Sequence, residues 1–198
     1  MTIFLEIFVP YASFKHSYSR EYFASYSYPP PSTIYGSLLS LVGETDRELH
    51  RGVKLAISLI SKPKISTVMR TTRRLKNPDI NHPGNSKPDF QQVLSDIRSV
   101  VGIDSTEDEA NLENRIRLAL QNPERIDRFG GLSLGESRDL IDNIKIISEL
   151  SPLWQWLVRD PQGKLQLPLS VDYFGSKETK MGQFSLADFS DRTFFRLD

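Results

Sequence analysis

The chain has 198 residues, 38% of them hydrophobic and 25% charged, enough for one globular domain with a sizeable core and unlike a disordered or fibrous chain. Lysine plus arginine and aspartate plus glutamate each number 25, so the net charge points to no class of partner and only its distribution can. The absence of cysteine excludes disulfides and thiolate metal sites, and it fits a reducing compartment.

The first residues (Met1-Thr2-Ile3-Phe4-Leu5-Glu6) lack the basic stretch of a signal peptide. No apolar run approaches the ~20 residues of a membrane helix. The expectation is a soluble cytoplasmic protein. Ile3, Leu5, Ile7 and Val9 share one face of a first, buried strand. Residues 11–28 carry Tyr11, Phe14, Tyr18, Tyr22, Phe23, Tyr26 and Tyr28 with Lys15, His16 and Arg20, but no clean period. Pro29-Pro30-Pro31 stops that segment, because each proline fixes φ and lacks a backbone donor. Ser32 suits an N-cap, Ile34, Leu38, Leu41 and Val42 fall at helical spacing, and Gly43 suits the position just past the helix end. Gly36 lowers helix propensity and marks close backbone packing.

Val53, Leu55, Ile57 and Leu59 alternate with polar or small residues in a second strand that Pro63 ends. From Lys64 the alternation resumes with a positive character. Lys64, Arg70, Arg74 and Lys76 share one parity, Arg73 breaks it, and Lys62–Lys76 holds six basic residues and no acidic one. Residues 77–90, with three prolines and a glycine, form a long excursion. Phe90, Val93, Leu94 and Ile97 fit either a helical turn or a bulged strand. Thr106 and Glu109 match a capping box before a helix with Leu112, Ile116, Ala119 and Leu120 on its apolar face, ended by Asn122-Pro123. The loop Gly130-Gly131-Leu132-Ser133-Leu134-Gly135-Glu136-Ser137 follows, then a strand through Leu140, Ile144 and Ile146. Leu153–Val158 and Lys164–Leu169 flank Asp160-Pro161-Gln162-Gly163, which reads as a hairpin. The order strand, helix, strand, basic strand, excursion, helix, glycine-rich loop, strand is β-α-β-β-α-β, an α+β, ferredoxin-like arrangement shared with RNA-recognition modules.

The glycine-rich loop has P-loop spacing, but Glu136 stands where the essential lysine belongs and would repel nucleotide phosphates. It is either a tight structural turn or a loop whose amides approach an RNA backbone. The basic strand is either a solvated face or a polyanion surface, on which Arg70, Arg73 and Arg74 can contact phosphates or stack on bases. His16, His50 and His82 are widely separated and lack metal-ligand spacing, so no metal and no cofactor is expected. Lys15, His16, Tyr18 and Tyr22 are groups suited to acid–base cleavage of RNA, although no arrangement around a phosphate can be read from them.

Tyr28–Glu44 resembles the N-terminal signature of the CRISPR-associated Cas-five family of type I systems, and Gly130–Ser137 its glycine-rich loop. Pro88–Leu94 is similar to the compact MYXAN or DevS subtype, and the resemblance spans about residues 1–170. It implies a RAMP-superfamily domain over 1–150, with a protruding thumb hairpin at 77–97, and a C-terminal β-hairpin extension over 151–198 packed on the same domain. It further implies a non-catalytic subunit that caps a Cascade-like complex at the 5′ handle of the crRNA. Its neighbours would be the repeated backbone subunit and the large subunit, with target DNA met only indirectly. Handle-binding candidates are then Lys64, Arg70, Arg73, Arg74 and Lys76, together with Gly130, Gly131, Ser133, Gly135 and Ser137. Ser32 and Tyr35 at the start of the first helix are placed to meet a phosphate. Some relatives cut precursor RNA, so a metal-independent endoribonuclease is the alternative. Whether the complex serves nuclease interference or guides a transposon lies in its partners.

Overall fold

The computed structural model describes residues 2–16, 18–19, 21–73, 76–171 and 179–197. The strands are β1 (Thr2–Ala12), β2 (Tyr22–Phe23), β3 (Lys54–Leu59), β4 (Lys64–Arg73), β5 (Ser86–Asp104), β6 (Asn143–Ile147), β7 (Trp156–Arg159), β8 (Leu165–Val171) and β9 (Thr179–Ala187). The helices are α1 (Pro31–Leu41) and α2 (Leu112–Gln121). All nine strands join one sheet in the order β6-β1-β5-β3-β7-β9-β8, with β2 and β4 added along β5. β1 is antiparallel to β5 and to β6, and β3 is antiparallel to β5, so β1 and β3 run the same way with α1 crossing between them. No helix among the described residues is long and apolar enough to cross a membrane.

Ile3, Leu5, Ile7 and Val9 are almost wholly buried, as their period-two spacing requires. They share one core cluster with Ile34, Leu38 and Leu41 of α1 and with Leu112, Ile116 and Ala119 of α2. The prolines fix the start of α1 differently from the expected Ser32 cap: Pro30 is the N-cap and Pro31 the first helical residue. Proline suits that position because its missing N–H has no helical partner anyway, and Ser32 is therefore left inside the first turn. At the other end Gly43 has φ +68, Glu44 N–H donates to Leu39 O (2.9 Å) and Gly43 N–H to Ser40 O (3.2 Å), a complete Schellman closure.

The expected capping box is not the start of α2. Asn111, at φ 51, is the N-cap and accepts from Asn114 N–H, while Thr106 turns its hydroxyl to Asp104 Oδ1 at 2.6 Å. The cause is tertiary. The buried Asp108 carboxylate accepts Leu112 N–H (2.7 Å), the Ser105 hydroxyl (3.3 Å) and His50 Nδ1–H (2.8 Å), so residues 105–111 wrap around it. Arg115 donates to His50 Nε2 at 2.9 Å and to Glu44 Oε2 at 2.6 Å. Arginine only donates, so Nε2 carries no proton and His50 is the neutral Nδ1–H tautomer.

The stretch through Phe90, Val93, Leu94 and Ile97 is strand. β5 runs unbroken from Ser86, with Asp96 at φ 58, a conformation aspartate tolerates better than most residues. That kink shifts the alternation, which buries both Leu94 and Ile97 and imitates helical spacing. The first half of β5 pairs with β4 from Arg73↔Ser86 to Lys64↔Ser95. The hairpin therefore has the basic strand as its outgoing arm, and the expected thumb at 77–97 corresponds only to its turn and returning arm. Asn85 organises the turn: its Oδ1 accepts Lys76 and Asn77 N–H, and its Nδ2 donates to Asn77 O and Asp79 O.

The C-terminal segment corrects a second expectation. The Asp160–Gly163 turn exists, but β7 and β8 do not pair with each other, because β9 lies between them. A Cβ on Gly163 would sit 2.3 Å from the backbone of Phe184, so this glycine admits β9 against the turn. Ser58↔Trp156 ties β7 to β3, and Leu157, Leu167, Leu169, Phe184 and Phe195 complete the same core as β1 and α1.

Asp108→Ala leaves His50 and the Leu112 amide buried without their acceptor, and is expected to cost about 3 kcal/mol, read as a lower urea midpoint at unchanged m-value. The Arg115 hydrogen bond holds the Glu44 carboxyl below its ordinary value of 4.5. That contribution is present above the ordinary value and is lost as pH falls through the depressed one. Glu44→Gln is expected to flatten the acid limb of stability against pH by no more than about 1 kcal/mol.

Candidate nucleic-acid interface

Cross-strand register sorts the hairpin into two faces. Lys64, Val68 and Arg70 lie opposite Ser95, Gln91 and Asp89 on one face; Met69 and Arg73 lie opposite Phe90 and Ser86 on the other. Lys64, Arg73 and Lys76 are exposed. Arg74 lies outside the described residues. Arg70 is half-buried: its guanidinium sits 5.3 Å from the centre of the Phe23 ring, and its Nη1 is 3.6 Å from Glu136 Oε2. Glu136 also receives Arg138 at 2.8 Å, and Arg138 Nη2 donates to Gln91 Oε1 at 2.5 Å. Lys15 Nζ also stands over the Phe23 ring, 3.8 Å from its centre. Arg70 thus joins the basic strand to the glycine-rich loop.

The loop is built around Asp139, whose carboxylate accepts Ser13 N–H and Glu136 N–H, both at 2.9 Å. Burial nevertheless pushes that carboxyl above its ordinary value. Leu134 N–H bonds Asp139 O, Ile141 N–H bonds Leu132 O, and Ser133 bridges Leu140, so the segment closes as a small antiparallel turn over buried Leu134. Gly135 has φ +123, and a Cβ there would meet Asp139 Oδ2 at 2.7 Å. Gly130, at φ +79, stands in open space, and Gly131 lies against Leu140. Gly130, Gly131 and Ser137 are exposed. The loop is therefore a structural turn that also presents backbone and hydroxyl groups.

What it presents them to is α1. The Ser37 hydroxyl donates to Ser133 O at 2.6 Å. Ser32, Gly36, Ser37 and Ser40 of α1 line a cleft of about 250 Å³ together with Ser133 and Gly135 of the loop and with Arg47. Gly36 lies against Arg47: a Cβ there would stand 3.2 Å from Arg47 Nη2, a tight contact with the end of a flexible side chain. Beyond Arg47 a larger cavity of about 410 Å³ opens, floored by Val53, Leu169 and Leu197 and rimmed by Arg51 and Lys180. The two share Ser32, Arg47 and Val171. Tyr35 lines the larger cavity with its ring, but its hydroxyl is engaged, donating to Arg47 O at 2.8 Å. Burial, with the Asp108 charge nearby, pushes its pKa up to about 12, so it remains a donor.

Arg47, Arg51 and Lys180 went unread in the sequence because each stands outside the basic run and they meet only in the fold. Of the histidines, His50 belongs to the Asp108 network and His82 accepts Gly84 N–H in the hairpin turn. His16 stacks on Tyr26 (ring centres 3.8 Å apart) and contacts the Tyr18 hydroxyl at 2.6 Å through Nδ1. Burial lowers the His16 pKa against the opposing effect of a backbone contact to Ser25. Among the described residues no group of three or more His, Cys, Asp or Glu is placed to hold a metal ion.

The sequence model described as CRISPR-associated protein (Cas_Cas5) matches residues 2–149. CRISPR-associated protein Cas5 of Myxococcus xanthus (strain DK1622) is 40% identical over 185 residues, covering 90% of this chain and 86% of that protein. Among solved structures, a chain of a CRISPR RNA-guided surveillance complex aligns with a TM-score of 0.68 at 14% identity, over 95% of this chain and 90% of that one. A Cas protein crystal structure aligns with a TM-score of 0.59 at 15% identity, over 95% and 94%. The chain belongs to the Cas5 family of CRISPR-associated proteins.

Proposed function

We propose that the protein is a non-catalytic, crRNA-binding subunit of a type I Cascade-like complex in the cytoplasm, holding the 5′ handle at one end of the assembly beside the repeated backbone subunit and the large subunit. Its β1-α1-β3-β5-α2-β6 unit, with sheet order β6-β1-β5-β3, is then the ferredoxin-like RAMP domain. The observation that carries the reading is convergence. The basic hairpin, the glycine-rich loop and the serine-lined side of α1 are linked in sequence, hairpin to loop through Arg70–Glu136 and loop to helix through Ser37–Ser133. A phosphodiester backbone needs that combination: cations for phosphate charge, with hydroxyl and amide donors to fix its path. Kinship with Cas5 proteins supports the CRISPR setting.

A second reading, metal-independent RNA cleavage, rests on one observation. His16 and Tyr18 form a hydrogen-bonded pair on the aromatic segment, and the lowered His16 pKa favours a neutral imidazole.

Arg73→Glu and Lys64→Glu change exposed side chains and leave the Arg70–Glu136 junction intact. Each is expected to weaken binding of repeat-derived RNA about tenfold in a filter-binding titration and to reduce the salt slope by about one. Unchanged affinity and slope in both would refute the handle-binding reading. Labelled repeat RNA incubated with the protein and EDTA is expected to stay intact. Cleavage that vanishes in His16→Ala establishes the enzyme instead.

A further inference from the structure

We propose that the face of the sheet turned away from α1 and α2 receives an amphipathic helix from another protein subunit, apolar on one side and bearing lysine or arginine at its edges. This rests on the reading above that the chain works as one subunit of an assembly, and it adds to that reading a surface and a kind of partner.

The sheet carries a second, smaller core on that side. Phe4, Ala56, Val100 and Trp156 each adjoin in sequence a residue of the main core (Leu5, Ile57, Val101 and Leu157), so they project from the reverse face. Two chain crossings cover them in place of an α-helix. Residues 148–155 bring Leu150 and Trp154 against the cluster, and residues 188–194 bring Phe189 and Phe194. The Phe189 ring lies 5.0 Å from Trp156 and 5.7 Å from Phe4. This cover is thin: Phe189 is 43% exposed, Leu153 beside Trp154 is 85% exposed, and Phe4, Trp154 and Phe194 are half-buried. Scattered apolar residues on a surface are ordinary, whereas a group resting on one aromatic cluster marks an interaction site. Trp156 Nε1–H is moreover buried in the cluster with no acceptor among the described residues, and an unmet buried donor costs free energy. A side-chain oxygen of the incoming helix would meet that donor once Phe189 moves aside.

Hydrogen bonding and charge select the occupant. The cluster lies over β1, β5, β3 and β7, and each of these strands has a neighbour on both sides. No strand edge is on offer there, so an incoming segment cannot add itself to the sheet. It has to satisfy its own backbone, which a helix does. The two crossings carry Glu149, Asp188 and Asp191 against Arg192 alone. Glu6 and Arg98 on the same face are already paired, with Lys145 at 3.1 Å and Asp96 at 3.2 Å. The acidic margin therefore complements lysine or arginine flanking the apolar side of a helix. It disfavours a phosphodiester backbone, and it disfavours a second copy of this chain, which would bring the same acids to the contact.

The test uses the full-length protein with photo-reactive benzoylphenylalanine in place of Leu153, co-expressed with the other Cas proteins of its own locus. Irradiation of the purified complex is expected to join it to one peptide of another subunit, identified by mass spectrometry, that is helical and net positive. Leu153→Asp, and separately Glu149→Lys combined with Asp191→Lys, are each expected to lower retention of that subunit about tenfold in a pull-down, the scale of one lost anchor or reversed charge contact. All three side chains are exposed, and circular dichroism melting checks that the variants fold. Affinity of the isolated variants for repeat RNA is expected to stay at the wild-type value. A crosslink to RNA or to a second copy, an acidic or extended crosslinked segment, or no crosslink in an intact complex would each overturn the docking surface while the assembly reading stands. Variants that hold the subunit as wild type does, or that lose RNA affinity instead, overturn it equally. If the wild type co-purifies with no other Cas protein, the assembly reading fails and the docking surface fails with it.

Discussion

A single strand, β5, belongs to two structures at once, and the placement of the basic hairpin depends on it. From Ile97 to Asp104 it is the middle of the core sheet, held by β1 on one side and β3 on the other. From Ser86 to Ser95 the same strand is the inner arm of the basic hairpin. No flexible joint separates the two halves, only the left-handed residue Asp96. The hairpin therefore inherits its position from the core. Tilting it would break ladder hydrogen bonds on β1, where pairing continues past the kink to Tyr11↔Ser95 and Ala12↔Leu94. A surface fixed in this way would lose little conformational entropy if a ligand settled on it.

The second tie is electrostatic and shows how a chain of zero net charge builds a positive surface. Glu136 is shared by Arg70 and Arg138, and Arg138 also reaches Gln91. The half-buried carboxylate stabilises the two arginines that pin hairpin to loop, which leaves Lys64, Arg73 and Lys76 exposed toward solvent. Arg70, the arginine most central in the basic strand, thus ties the hairpin to the glycine-rich loop and to Phe23. Removing it would cost the junction as well as a charge, which is why the exposed pair is the cleaner probe.

The sequence made legible whatever was written in short-range periodicity. β1, β3 and β6 appear through alternation, α1 through its prolines, its Ile34/Leu38/Leu41 stripe and Gly43, and the basic strand through its charge. What it hid was decided by distant partners. Thr106 and Glu109 satisfy a capping pattern, yet the Asp108 carboxylate, bound to His50 from another part of the chain, recruits the Leu112 amide and moves the helix start. Asp160–Gly163 satisfies a turn pattern, yet nothing local announces that β9 will enter between the strands it joins. Leu94 and Ile97 imitate a helix because one residue with positive φ shifts the parity. The clefts were legible only in part: Ser32, Tyr35, Ser133 and Gly135 stood in recognisable motifs, whereas Arg47, Arg51 and Lys180 are isolated cations that only the fold assembles.

The helix between the two clefts and the core shows why such a sequence is arranged as it is. One side of α1 buries Ile34, Leu38 and Leu41, and on the other Ser32, Gly36 and Ser40 line the cleft. Glycine in a helix costs roughly 1 kcal/mol relative to alanine, and serine is a weaker helix former than leucine, so local propensity does not hold this element. Burial of three branched side chains does, at roughly 1.5–3 kcal/mol each, together with the rigid proline start and the closed Schellman end. That surplus permits the outer side to be chosen for access instead of helix strength. Gly36 leaves room beside the Arg47 guanidinium, and Arg47 borders both clefts. The helix is thus a partition whose stability comes from one side and whose chemistry comes from the other.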